Sequence, residues 1–300
     1  MHRDQARGLR TAVSAYILWG LLTIYWKQLA GFDAIEMIGW RIATASLFMG
    51  LFVTLTGRWA PIVATFRDRT AILRVLLASV LLTINWTTYV WAVVNERVIE
   101  TALGYFLAPV GTIALGVLLL GERLTPLLRT STALALVAVT VLTISYGRVP
   151  FVAIALAGTW SWYGLTKRRV ALGPVESLTT ELLVVFLPAV VLVIARSPRA
   201  GGVASVADGI DWLLLGGTGL ITAVPLLLFA HAAHRVPFTI LGPAQYLVPS
   251  INFLLGWLAF GESLPPSRLV GFGLVWVALT LVTIDTVRRS NRDREPALVS

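Results

Sequence analysis

Apolar residues run along this chain in ten long stretches, and its polar residues collect in the short segments between them. Each stretch approaches the ~20 residues that carry an α-helix across a ~30 Å hydrocarbon core. They fall at 10–29, 35–56, 71–94, 100–120, 127–146, 150–166, 175–195, 211–232, 238–260 and 268–287, the sixth being the shortest. The separators are residue types that end helices: Gly31 with Asp33, Gly57 to Pro61, Gly121 to Pro126, Gly147 to Pro150, Gly173-Pro174, Ser197 to Gly202 and Gly261 to Pro266. The connections are too short to hold a soluble domain. The pattern predicts an all-α polytopic membrane protein with ten transmembrane helices.

The landmarks recur. Tyr105-Phe106-Leu107-Ala108-Pro109, followed by Gly121-Glu122, returns as Gln245-Tyr246-Leu247-Val248-Pro249, followed by Gly261-Glu262, an offset of 140 residues (249 − 109). The same offset pairs Lys27 with Lys167, Glu36 with Glu176 and Gly116 with Gly256. The chain therefore reads as a duplication, with a first five-helix repeat over 8–146, a second over 147–289 and a tail over 290–300. A repeat with an odd number of spans is followed by a copy of opposite orientation. Two inverted five-helix repeats are the architecture of many secondary transporters.

Composition agrees with a membrane solvent: 57% hydrophobic and 13% charged residues, and a mean hydropathy of +0.82. The eleven Trp residues cluster near the ends of apolar runs, as at Trp19, Trp26, Trp59, Trp86 and Trp276, the pattern of interfacial aromatic belts, although some must face the interior. The net charge of +9 comes from Arg residues dispersed over short loops, which argues for membrane topology and against a nucleic-acid partner. With the N-terminus in the cytoplasm, only Lys27, Arg97, Arg148, Arg196, Arg199 and Arg268 of the 24 cations fall outside, and Arg41 lies within a span. Both termini are expected to be cytoplasmic. The basic N-terminus leads into an apolar run without a small-residue cleavage site and reads as a retained first span. The sequence has no Cys and three His, so neither a thiolate site nor a metal is expected, and no cofactor is implied.

Polar groups at membrane depth are costly, so each marks a candidate function. Asn85, Trp86, Tyr89, Trp91 and Asn95 form the densest polar and aromatic group in any span. Asn85 with Tyr89, and Trp91 with Asn95, share faces at i, i+4, which suits a cavity wall or polar contacts between helices. Pro109 and Pro249, inside the fourth and ninth spans, are candidate helix breaks, with Tyr105, Gln245, Tyr246 and Asn252 around them. Arg41 falls ~6 Å from the middle of the second span. Its repeat equivalent is Glu181, set ~12 Å away in depth by inversion, so Glu36 and Glu100 are its expected partners. A structural ion pair and a gate formed by Lys27, Glu36 and Arg41 are both open readings. His231, with Arg235 at i, i+4, is a candidate for a proton step or for interfacial packing.

These residues resemble the EamA-type permeases of the drug/metabolite transporter superfamily, specifically the RarD subfamily. The resemblance rests on Ala15 to Gly20, Tyr25-Trp26-Lys27, Glu36 with Arg41, Asn85-Trp86, Tyr89, Trp91-Ala92-Val93 and Leu103-Gly104-Tyr105-Phe106, then on Tyr163-Gly164-Leu165, Val224-Pro225-Leu226 and Gln245-Tyr246 with Pro249. It covers about residues 8 to 289 and departs from the usual pattern at Ala108, Trp40 and Trp162. It implies ten helices, two repeats, an inner-membrane location and a cavity between the halves. Small multidrug transporters, distant relatives, exchange protons at an acid in their first helix; here residues 11–26 contain none.

The resulting expectation is a secondary transporter of a small metabolite or drug-like solute, working by alternating access, and not an enzyme. No phosphate-binding G-x-x-x-x-G-K-[ST] sequence is present to couple ATP. Proton coupling is possible, and the alternative is a non-transporting membrane scaffold or sensor.

Overall fold

The computed structural model describes residues 3–121, 125–167, 169–233 and 245–292. Every regular element among them is helical. The first half contains α1 (Arg3–Gln28), α2 (Ala34–Thr56), α3 (Trp59–Arg67), α4 (Arg69–Val94), α5 (Val98–Leu120) and α6 (Pro126–Tyr146). The second contains α7 (Phe151–Lys167), α8 (Pro174–Arg196), α9 (Val203–Val206), α10 (Gly209–Ala233), α11 (Leu247–Leu254), which continues as a π-turn over Leu255–Ala259, and α12 (Pro266–Arg292). Among the described residues, α2, α4, α5, α6, α8, α10 and α12 contain apolar segments long enough to cross a membrane. They expose large aliphatic side chains such as Leu55, Leu118, Ile144 and Leu213, a surface suited to lipid. The chain is a multi-pass membrane protein.

Helix ends follow local chemistry. Gly57, Gly121 and Gly147 end α2, α5 and α6 at φ of 65–67°, a left-handed geometry that glycine adopts without a Cβ penalty. Asp33 starts α2 by accepting from Ile35 N and Glu36 N, both at 3.1 Å. Two short helices, α3 and α9, lie in the connections between predicted spans, where the sequence pattern predicts no helix. Pro61 is tolerated in α3 because it lies in the first turn, where an N–H has no intrahelical acceptor. The sixth predicted span is the 17-residue α7, and residues 238–244 of the ninth lie outside the described residues.

The packing repeats when the halves are exchanged at the 140-residue offset. α5 packs on α7 and α11 on α1; α4 packs on α7 and α10 on α1; α2 packs on α10 and α8 on α4. The helices α2 and α8 contact each other, as do α6 and α12, each the other's counterpart. Close approach at the α2–α10 crossing depends on Gly219, where a Cβ would come within 2.4 Å of the Thr44 carbonyl carbon. At the equivalent α4–α8 crossing, Ser79 instead donates to the Glu181 carbonyl at 3.0 Å. The main core runs between α1, α2, α4 and the second half, with Trp26, Leu29 and Met37 fully buried.

Candidate substrate site

The α2–α10 crossing places the Arg41 guanidinium inside the protein, 4% exposed. Its Nε donates to Thr222 Oγ1 on α10 at 3.0 Å. One turn away, Thr44 and Thr218 hydroxyls meet at 2.9 Å. The guanidinium lies 4.0 Å from the Trp86 ring centroid and 5.3 Å from that of Trp26. A desolvated cation over an aromatic face gains about 2 kcal/mol. Arg41 Nη1 is buried without a hydrogen-bond partner among the described residues.

Around this cation stand two hydrogen-bonded strings. In the first, the Tyr89 and Thr23 hydroxyls are 2.7 Å apart, and Thr23 donates to Asn252 Oδ1 at 2.8 Å. This string joins α4, α1 and α11, so it bridges both halves of the chain. In the second, Tyr105 donates to Asn85 Oδ1 at 3.0 Å, while Asn85 Nδ2 donates to Leu156 O at 3.1 Å and Thr159 Oγ1 at 2.9 Å. The Tyr89 and Tyr105 rings lie 6.0 Å apart. Both Asn85 N–H groups are thus taken by α7 while its Oδ1 keeps a second acceptor position; Asn252 Nδ2 makes no hydrogen bond among the described residues.

A family model for the EamA-like transporters matches residues 6–144 and again 148–284. The chain belongs to the EamA-like transporter family. Protein RarD of Streptomyces exfoliatus is 40% identical over 97% of this chain and 92% of its own length. The transporter YojE of Bacillus subtilis (strain 168) is 33% identical over 96% of this chain and 97% of that protein. A solved crystal structure shares the fold, with a TM-score of 0.60 at 18% identity, covering 94% of this chain and 98% of that one. Both relatives align over nearly the whole chain.

In this EamA-family protein, six of the residues singled out from the sequence come together: Arg41, Asn85, Trp86, Tyr89, Tyr105 and Asn252. Others stand apart. Trp91 packs on Phe151 at 5.6 Å and under Arg97 at 4.9 Å, near the end of α4. Tyr246 lies 6.4 Å from Phe106, with Gln245 beside it in the turn before α11. His231 is exposed in the last turn of α10, on an open, mostly apolar surface depression lined also by Thr11, Val224, Leu227 and Leu228. Pro109 lies inside a continuous α5, whereas Pro249 sits in the first turn of α11, where its missing N–H interrupts no helix. Pro188 and Pro225 are further prolines within α8 and α10.

The expected acid partners of Arg41 are engaged elsewhere. Glu36 accepts from Val203 N at 3.1 Å, at the start of α9. Glu100 pairs with Arg148 at 2.8 Å and accepts from Val152 N at 3.1 Å. Both carboxylates sit where a helix presents unsatisfied N–H donors, and these outcompete a guanidinium deeper in the bundle. Lys27 lies 5.2 Å over Phe260, so the described contacts do not join Lys27, Glu36 and Arg41 into one charged cluster. Glu181 pairs with Lys167 at 2.6 Å and also accepts from Ser177 and Tyr163, each at 3.0 Å.

Sequence reasoning did not single out Thr23, Thr222 or Trp26 as site residues. Threonine is common in membrane helices, where it bonds its own backbone, so its type carries no signal. The Thr23–Trp26 spacing of i, i+3 on α1 is the clue that both face the interior.

Proposed function

We propose that this protein is a secondary transporter that moves a small solute by alternating access around the Arg41 cluster. In this reading the chain crosses the cell membrane ten times, as two inverted five-helix repeats over 8–146 and 147–289. Both termini are cytoplasmic. The exchange-symmetric packing supports a two-fold relation between the halves, and five crossings per repeat would make that relation an inversion. The shorter α7 and the α11 segment count as crossings because their contacts repeat those of α1 and α5 when the halves are exchanged.

The observation that carries the proposal is the string Tyr89–Thr23–Asn252, a buried polar network shared between the two repeats. Buried polar groups contributed by both halves and collected beside an aromatic-lined cation form a binding surface that rocking of the halves would open to either side. The binding residues in this reading are Arg41, Asn85, Trp86, Tyr89, Tyr105 and Asn252, with Gln245 and Tyr246 flanking them. Lys27, Glu36, Trp91 and Glu181 belong to the surrounding framework, and Pro109 with Pro249 shapes the fourth and ninth crossings. The solute's own gradient or an ion gradient, including one of protons, drives the cycle. His231 is too peripheral to be the coupling group. No enzymatic step is assigned.

The test is solute flux in proteoliposomes, with candidates chosen from thermal stabilisation of the purified protein by small metabolites. Saturable flux that falls in Tyr89→Phe is the expected result. Ligand stabilisation without flux in any gradient would refute the transport reading.

A further inference from the structure

Among the described residues, the buried side-chain atoms without hydrogen-bond partners are all nitrogens, and Arg41 Nη1, Trp26 Nε1 and Asn252 Nδ2 belong to the central cluster. Trp26 and Asn252 are fully buried, and Arg41 nearly so. An indole N–H and an amide NH2 only donate, and a guanidinium has no acceptor at all. The atoms of the cluster that lack any partner among the described residues are thus all donors.

The charge balance points the same way. Arg41 brings one positive charge, whereas Glu36, Glu100 and Glu181 are held by Val203 N, by Arg148 with Val152 N, and by Lys167 with Ser177 and Tyr163. A buried cation without an anion is strongly disfavoured, and stacking on Trp86 offsets only part of that cost. Resting on the transporter reading above, we infer that the cluster takes the carboxylate of an organic monoanion, bound by Arg41 Nη1 with help from the Trp26 and Asn252 N–H groups. A planar carboxylate matches the guanidinium fork, and Trp86, Tyr89 and Tyr105 offer aromatic surface to the rest of the solute. No free carboxylate in the cluster is available to a solute's ammonium group, so a simple carboxylate is preferred over the zwitterion of the same skeleton.

The experiment uses the full-length protein purified in micelles. It is titrated with acetate, lactate, benzoate and 3-phenylpropanoate, with the neutral amide of each, and with phenylalanine as the zwitterion. Binding is read by tryptophan fluorescence and by thermal stabilisation. At least one carboxylate is expected to bind, with its amide and the zwitterion about tenfold weaker or more, the scale of one charge-assisted hydrogen bond. Arg41→Gln should lose about ten- to a hundredfold for the acid and little for the amide. Trp26→Phe keeps an aromatic wall and removes one N–H; it should weaken the acid severalfold, and it serves if Arg41→Gln does not fold. The inference is overturned by an amide that binds as tightly as its acid, by wild-type affinity in Arg41→Gln, or by no carboxylate binding across the panel. Flux of a neutral solute without carboxylate binding would sink this inference and leave the transport reading standing. Carboxylate binding without flux would do the reverse.

Discussion

Lys167 and Glu181 form an ion pair at 2.6 Å at positions that, one repeat earlier, hold Lys27 and Arg41. The second half thus neutralises its lysine inside its own repeat. The first half carries two cations there, and Arg41 turns toward the interface with α10.

Glu181 is 1% exposed while Lys167 retains partial access to solvent. Lys167→Met leaves a buried carboxylate facing only Ser177 and Tyr163 and should destabilise the protein by about 3 kcal/mol, toward the lower end for buried pairs. Glu181→Gln should cost less, because the lysine can reach water. Unfolding of both variants in micelles checks the order, and the reverse order would mean that the lysine is the more deeply committed partner.

Gly219 and Gly216 lie on one helix and make opposite predictions. A methyl group at 219 meets the α2 backbone and should force α10 outward, costing about 1–3 kcal/mol and loosening both Thr44–Thr218 and Arg41–Thr222. A Cβ at 216 meets nothing within 4 Å, so Gly216→Ala should be neutral or stabilise by up to about 1 kcal/mol. Melting temperatures of the two variants test the crossing.

Removing the Thr23 hydroxyl separates the repeats chemically without changing volume much. Thr23→Val strands the Tyr89 hydroxyl and Asn252 Oδ1 and should cost about 1–3 kcal/mol, while Thr23→Ser should restore most of it. If flux runs through this network, it should fall in the valine variant and recover in the serine variant.

Two loop carboxylates should respond to pH with opposite sign. The N–H groups of Ala71 and Thr70, with a further contribution from Arg74, hold the fully exposed Asp68 carboxyl below its ordinary 3.8. Burial raises Glu262 above its ordinary 4.5 despite the N–H groups of Ile99 and Val98 and the charge of Lys27. Asp68 therefore stabilises the fold above its unfolded value, and that contribution is lost as pH falls through the lowered one. For Glu262 the contribution is complete below 4.5 and is lost as pH rises through the raised value. In melting scans from about pH 3 to about pH 7, the advantage of wild type over Asp68→Asn should shrink on acidification, whereas its advantage over Glu262→Gln should shrink as pH rises.

The helix boundaries were legible because they depend on local chemistry. Gly57, Gly121 and Gly147 stop helices by a backbone geometry that the residue type itself announces. The polar group Asn85–Tyr89 was legible for a similar reason, since amides and phenols are rare in lipid-facing helices. The partners of Arg41 were not. Depth alone favoured Glu36 and Glu100, but a carboxylate near a helix start is claimed by backbone N–H groups whose position exists only in the folded chain. Trp26 was read as an interfacial anchor because tryptophan near a helix end has that meaning in most contexts; its full burial beside Arg41 comes from packing. The π-turn over Leu255–Ala259 has no signature in residue type.

The exchange of Arg41 for Glu181 between otherwise matching positions means that duplication has kept the scaffold's shape and changed its charge. In the proposed cycle, a carrier made of two identical halves would have inward-facing and outward-facing forms of equal energy. Opposite charges at equivalent positions lift that degeneracy, so the solute-free protein would rest on one side of the membrane by its own sequence. The gradient then determines which way net flux runs.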